Sequence, residues 1–307
     1  MQTILGSGGA IGIPLAKELK KYTDRIRLVS RNPKKVNEQD ELFKANLTDK
    51  QKVDEAVKGS DIVYLTAGLE YKIKIWQKDW PAIMQNTIDA CIHHQARLVF
   101  FDNVYAYAPD EMPHMTENSR IAPRSEKGKV RAALLEMIFD AIKTRGLKAL
   151  VARSADFYGP DVKTGFLNLL VIDKYKKKQK AMWQSSASFI HSFTYTPDAA
   201  KAVALLGNTE DAYNQTWHLP TSSQKWTGKD FIHFIAEKYG AKPNYFVLSK
   251  TIIGLMSFFS GMMKELKEMQ YQNDRDYFFD SSKFEKRFSL MPTSYESGLK
   301  EVINNPG

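Results

Sequence analysis

Cysteine is almost missing: Cys91 is the only one in 307 residues. A lone thiol excludes an internal disulfide and any multi-cysteine metal site. Cys91 falls in a periodic apolar stretch, where a buried structural thiol is expected. Long apolar runs are also missing. The most apolar segment, Thr251–Met263 (TIIGLMSFFSGMM), is shorter than the roughly 20 residues that cross a bilayer. A core or interface helix is expected there, and no membrane partner. The opening MQTILGSGG has no charged lead and no apolar region of signal-peptide length, as expected of a cytoplasmic chain.

Acidic residues are outnumbered, 35 against 44 basic, for a formal net charge of +9. A surplus of this sign can serve nucleic acid. Only Lys174–Lys180 (KYKKKQK) is densely basic, however, and no aromatic ladder accompanies it. Scattered solvated lysines account for the charge, an anionic small molecule would suit it, and no nucleic-acid partner is expected.

What is present is alternation. Short β-like runs (QTIL, RIRLVS, ELFKANL, DIVYLTA, RLVFFD, LKALVAR) are separated by helical patterns. Strands alternating with helices imply a parallel sheet covered on both faces. The first strand and first helix are joined by ILGSGGAIG, with Gly6, Gly8, Gly9 and Gly12. Glycine lets the chain turn tightly and lets its backbone approach a pyrophosphate at the helix N-terminus. The second strand ends in Ser30 and Arg31, with no carboxylate to accept from ribose hydroxyls. A guanidinium there can pair with a 2′-phosphate, which favours NADP over NAD.

The spacing Gly6-x-x-Gly9-x-x-Gly12 resembles the extended short-chain dehydrogenase/reductase superfamily, specifically its NAD-dependent epimerases and dehydratases. The segments GSDIVYLTAG, MQNTIDAC, FFDNVYAYAP, RSADFYGP and SFTYTPDAAKAVALL follow in the family's order, and the C-terminal tail is similar too. The resemblance implies an α/β, Rossmann-type doubly wound parallel sheet with a smaller C-terminal substrate-binding subdomain. The first would take 1–153 plus about 186–218, the second about 154–185 plus 219–307. It implies an NAD(P)-dependent oxidoreductase or epimerase-dehydratase acting on a sugar nucleotide or other hydroxy/carbonyl small molecule. A non-catalytic NAD(P) sensor is the competing reading. A homodimer through two helices is also implied.

Carried over residue by residue, the family's cofactor positions fall on Gly6, Gly8, Gly9, Ala10, Ile11, Gly12, Ser30, Arg31, Asn46, Leu47, Thr66, Ala67, Gly68 and Asn86. The family's proton chemistry uses a Tyr-x-x-x-Lys pair aided by a Ser or Thr. Lys129 matches the lysine, which contacts the nicotinamide ribose; Ser125 stands at the tyrosine and Asn103 at the Ser/Thr. Tyr105 is two residues after Asn103, on the same side of a strand, and is the substitute acid. Tyr107 is expected to pack structurally. Tyr105, Arg153, Asp156, Tyr158 and His191 are expected to line the substrate side. Lys127 and Arg131 receive no role on this alignment. His93 and His94 adjoin on a helix, a spacing that puts them on different faces, so no metal site is expected.

Overall fold

The protein is described by a computed structural model over residues 1–160, 162–257 and 260–304. In chain order the first elements are β1 (Gln2–Leu5), α1 (Gly12–Leu19), β2 (Ile26–Ser30), β3 (Glu41–Lys44), α2 (Lys50–Val57), β4 (Ile62–Leu65), α3 (Ile73–His93), β5 (Arg97–Asn103), α4 (Glu126–Arg145) and β6 (Ala149–Ser154). Then come β7 (Asp156–Tyr158), α5 (Asp173–Lys176), β8 (Ala181–Gln184), β9 (Phe193–Tyr195), α6 (Thr196–Gly207), β10 (Thr216–His218), α7 (Gly228–Lys238), β11 (Tyr245–Leu248), α8 (Lys250–Met256), α9 (Gly261–Lys267), α10 (Ser282–Phe288) and α11 (Tyr295–Asn304).

The chain divides into two compact units. The first comprises Met1–Ala106, Lys127–Arg153 and Pro197–Leu219. It holds a seven-stranded parallel sheet in the order β10-β6-β5-β4-β1-β2-β3, a Rossmann-type α/β fold. Strands β1 and β4 are buried along their whole length, as strands covered on both faces must be. Ile4 of β1 lies between Leu28 and Tyr64. Chain order reverses between β1 and β4, the switch point beside which open α/β sheets bind ligands. One core layer is built from α2, α3 and α4, through Val53, Trp80, Met84, Leu134 and Ile138 among others.

The second unit comprises Tyr107–Glu126, Ser154–Thr196 and Pro220–Gly307. It carries two parallel pairs, β7 with β9 and β8 with β11. Trp183, Phe193, Phe231 and Tyr295 form its aromatic core. Helix α7 starts with a capping box, Thr227 and Asp230 each bonding the other's backbone. The division differs from the boundaries expected from sequence in two places. Residues 107–126 join the second unit because Tyr107 bridges Ile121 and Met115 bridges Phe279; residues 186–196 join it because β9 pairs with β7.

The apolar segment at Thr251–Met263 forms α8 and the start of α9, and Leu255 is 65% exposed. Phe258 and Phe259 lie outside the described residues. Among the described residues, no helix is long and apolar enough to cross a membrane.

Candidate active site

The first unit contains a cleft of about 520 Å³ at the switch point. The glycine loop forms one wall. Gly6 has φ +97° and its missing side chain leaves room for the backbone of Ala67, so both the turn and the close approach need glycine. A Cβ on Gly12 would stand 2.8 Å from the backbone of Ser7. Gly8 and Gly9 face open space and line the cleft, which keeps their amides accessible to an anion.

The other walls come from strand ends. Ser30 and exposed Arg31 follow β2; Asn46 and Leu47 follow β3; Ala67 and Gly68 follow β4. These and the loop glycines are the expected cofactor residues that the fold gathers at the cleft. Others act behind it. Thr66 donates to the carbonyl of Gly6 at 3.3 Å, tying β4 to the loop. Asn86 is buried and donates from Nδ2 to the carbonyl of Leu47 at 3.1 Å, fixing the segment after β3. Ala10, Ile11 and Gly12 open α1 rather than line the cleft. Helix α3 adds Ile75, Asp79 and Ile83, and the β4 loop adds Leu69 and Glu70. None of these five was expected from the sequence, although Ile75, Asp79 and Ile83 are spaced by four on one face of α3.

Beside this cleft the same unit assembles an aromatic and cationic cluster. Tyr105 stacks on Trp76 with centroids 6.1 Å apart, and Tyr71 meets Trp76 edge-on at 5.9 Å. The Tyr71 and Tyr105 hydroxyls are 3.5 Å apart. The side-chain oxygen of Asn103 accepts from the backbone N–H of Tyr105 at 3.0 Å, which sets the turn that presents the tyrosine.

Helix α4 places its cations differently from the alignment. Lys127 is 0% exposed, and its Nζ lies 4.4 Å from the Tyr71 ring centroid. Lys129 is exposed. The inner stripe of α4 runs Lys127, Arg131, Leu134, Ile138; the outer runs Lys129, Ala133, Glu136, Asp140. Both follow the 4-3-4 spacing of a helix face. So the inward pair at i, i+4 is Lys127 and Arg131, and Lys129 sits on the solvent side. Ser125 belongs to the second unit, buried, with its hydroxyl 3.5 Å from that of Tyr271. Burial raises the phenol pKa of Tyr271 above its ordinary value, although the Ser125 contact lowers it.

Arg131 donates from Nε to Asp102 at 2.8 Å, and its guanidinium covers Trp80 and Phe100 at 4.7 and 4.8 Å. Arg153 of β6 grips the other oxygen of Asp102 at 3.0 and 3.1 Å. All three side chains are enclosed. Arg153 therefore cannot line a substrate cleft as expected; it is half of a buried clamp on Asp102. Two guanidiniums on one carboxylate leave the triad one positive charge in excess, with Arg131 one helical turn after Lys127.

The remaining substrate-side expectations fall in the second unit. His191 is buried, its Nε2 3.0 Å from Asp156 and its ring parallel to that of Tyr277 at 4.3 Å. Asp156 keeps partial exposure. Tyr158 is fully buried between Tyr195 and Tyr295, a core residue rather than a cleft one. Tyr107 is buried and donates to the carbonyl of Thr116 at 2.8 Å, a structural placement.

The model of the NAD dependent epimerase/dehydratase family matches residues 3–218. The chain belongs to that family. No curated protein matches it. Among solved structures it is similar to the UDP-glucose 4-epimerase of Thermus thermophilus in complex with NAD, at 16% identity and a TM-score of 0.79, over 99% of this chain and 98% of that one. It is similar to the UDP-N-acetylglucosamine 4-epimerase of Bacillus cereus at 16% identity and TM-score 0.78, over 99% and 95%. An epimerase of Methanothermobacter thermautotrophicus gives 14% identity and TM-score 0.82, over 99% and 90%. At these identities the likeness is one of fold. The inner face of α4 carries a lysine and an arginine four apart, Lys127 and Arg131.

Proposed function

We propose that the protein is an NAD(P)-dependent epimerase, dehydratase or reductase of a sugar nucleotide or related hydroxy/carbonyl compound, in which Lys127, Tyr71 and Tyr105 carry the proton chemistry. One observation supports this above the others: a fully buried ammonium lies on the ring of a tyrosine whose hydroxyl meets that of a second tyrosine, beside the dinucleotide cleft.

The nicotinamide supplies the hydride acceptor or donor when bound. The chain supplies the proton acceptor. A phenol beside a fixed cation ionises more readily than one in water. Tyr105 presents its hydroxyl to the substrate, Tyr71 continues the path, and Lys127 stabilises the charge that develops on them. Arg131, held by Asp102, sits one turn further along the same face of α4 and positions Lys127 rather than touching the reactants. Gly8 and Gly9 seat the pyrophosphate and Asn46 and Leu47 border the adenosine half. Arg31 favours a 2′-phosphate and hence NADP. The family resemblance supports a cytoplasmic homodimer.

The competing reading is a dinucleotide sensor without turnover, favoured by Ser125 standing where the resemblance puts the motif tyrosine. The two separate by incubating the protein with NAD, NADP, NADH or NADPH and a panel of UDP- and dTDP-hexoses, then analysing sugar products and cofactor absorbance. Conversion of any member, lost in Tyr105→Phe, supports the enzyme. Tight cofactor binding with no conversion across the panel sinks it.

A further inference from the structure

Away from the cleft, the first unit brings Asp54 together with His93 and His94, the two histidines expected on different faces and without a metal. Adjacent residues of a helix diverge by about 100°. The structure overturns the expectation of different faces for His93, the last residue of α3, and His94, its C-cap. Helix α2 packs alongside α3 and sets Asp54 in the wedge between the two imidazoles. His93 Nδ1 is 2.7 Å from Asp54 Oδ1, and His94 Nε2 is 3.2 Å from the same oxygen. The two imidazoles lie 4.4 Å apart at a 35° tilt. All three ligand atoms fall within 4.8 Å of one another.

The geometry points to a site for a borderline divalent transition metal such as Zn²⁺, bound by Asp54, His93 and His94, that clasps α2 to the C-terminal end of α3. A tetrahedral zinc with ligands at about 2.0–2.1 Å holds them about 3.4 Å apart. The His94–Asp54 spacing already suits this, and the His93–Asp54 pair needs to open by well under 1 Å. Imidazole and carboxylate together suit zinc, copper or nickel rather than calcium or magnesium, which prefer oxygen alone. The His94 Nε2 atom is itself buried and makes no well-aligned hydrogen bond, as a nitrogen aimed at a metal position would be. His93 is 68% exposed, so water can fill the fourth position and the metal can enter.

The site is not part of the chemistry. Helix α3 has 21 residues, about 30 Å at 1.5 Å per residue; its cleft-lining residues Ile75 and Asp79 are in the opposite half and Ile83 is near its middle. Its role is to fasten α2. The segment Asn46–Thr48, which lines the dinucleotide cleft, leads into that helix.

The test is titration calorimetry of Zn²⁺ into tag-free, chelator-stripped protein, with thermal unfolding as a second readout. One equivalent is expected to bind and to raise the melting temperature. His93→Gln, His94→Gln and Asp54→Ala are each expected to weaken binding at least tenfold and to abolish the thermal shift. His114→Gln, at a pairing with the single carboxylate Asp280, is expected to change neither. No binding by the parent protein overturns the proposal, as does equal binding by His93→Gln, whose exposed position makes misfolding no explanation. Tetrahedral Co²⁺ absorption in the parent and its loss in His93→Gln would confirm the ligand set.

Discussion

The Lys127 ammonium lies 4.4 Å from the centroid of the Tyr71 ring, while Lys129, two residues along the same helix, faces solvent. Substitution separates the two lysines. Lys127→Met is expected to lower kcat by about 100-fold or more, the scale of lost acid-base assistance. Lys129→Met is expected to stay within about twofold of the parent. Thermal unfolding of both variants separates lost chemistry from lost stability. A Lys127→Met protein that melts like the parent but has lost turnover therefore reports chemistry. Equal rates for both variants would remove Lys127 from the mechanism.

The paired hydroxyls of Tyr71 and Tyr105 give a second contrast. Tyr105→Phe keeps the stacking on Trp76 and removes only the oxygen. Its kcat is expected to fall by about 100-fold or more with KM little changed. Tyr71→Phe, one step further from the substrate, is expected to cost less. Ser125→Ala touches a hydroxyl of the second unit and is expected to leave kcat intact. A kcat for Tyr105→Phe equal to the parent's contradicts the assignment.

The cleft at the switch point was legible in the sequence because its signals are local. A turn that demands Gly6, an open wall at Gly8 and Gly9, and a strand ending in Ser30–Arg31 all lie within a few residues of a strand end. The α4 register was legible too, but by a different route. Extending the Leu134 and Ile138 stripe backwards by three and four puts Arg131 and Lys127 inside, whereas matching a lysine to a motif selected Lys129. The Asp102 clamp could not be read, since its members come from β5, α4 and β6 and nothing local announces which cations share a carboxylate. Tyr158 and His191 failed for the same reason: ring packing against Tyr195, Tyr277 and Tyr295 is set by tertiary contacts far away in sequence. His93 and His94 illustrate the limit of single-helix reasoning, because the partner in the wedge belongs to another helix.

The glycine loop separates folding from binding. Gly6→Ala forces a side chain into the backbone of Ala67 at φ +97°. It is expected to destabilise the protein by about 1–3 kcal/mol or more, seen as a lower urea midpoint. Gly8→Ala meets open space and is expected to leave the midpoint unchanged while weakening dinucleotide binding about tenfold or more, read by quenching of intrinsic fluorescence. If Gly8→Ala binds like the parent, the pyrophosphate does not lie against this loop.

Arg31 decides between the two nicotinamide cofactors. Arg31→Asp replaces a donor fork by an acceptor at the end of β2, on the cleft wall. A carboxylate there accepts from ribose hydroxyls and repels a 2′-phosphate. The ratio of NADP to NAD affinity is expected to fall about tenfold or more, mostly through loss of NADP. Unchanged affinities for both would place the adenosine ribose away from Arg31.

Asp102 is where stability and the site meet. It is enclosed, with Arg131 on one oxygen and Arg153 on the other. Removing its charge leaves the buried Arg131 and Arg153 guanidiniums facing a neutral amide where each had gripped a carboxylate oxygen. Breaking a buried pair in this way costs about 3–5 kcal/mol, so Asp102→Asn is expected to unfold at a clearly lower urea concentration. Arg153→Met leaves Asp102 one partner and removes the excess positive charge, and is expected to cost less. Arg131→Met also leaves the triad neutral, but it strips the packing over Trp80 and Phe100. If the clamp acts on the site as proposed, Arg131→Met loses turnover while Arg153→Met keeps it, at comparable midpoints. The reverse ranking would make the clamp purely structural and leave Lys127 as the site's sole inward cation.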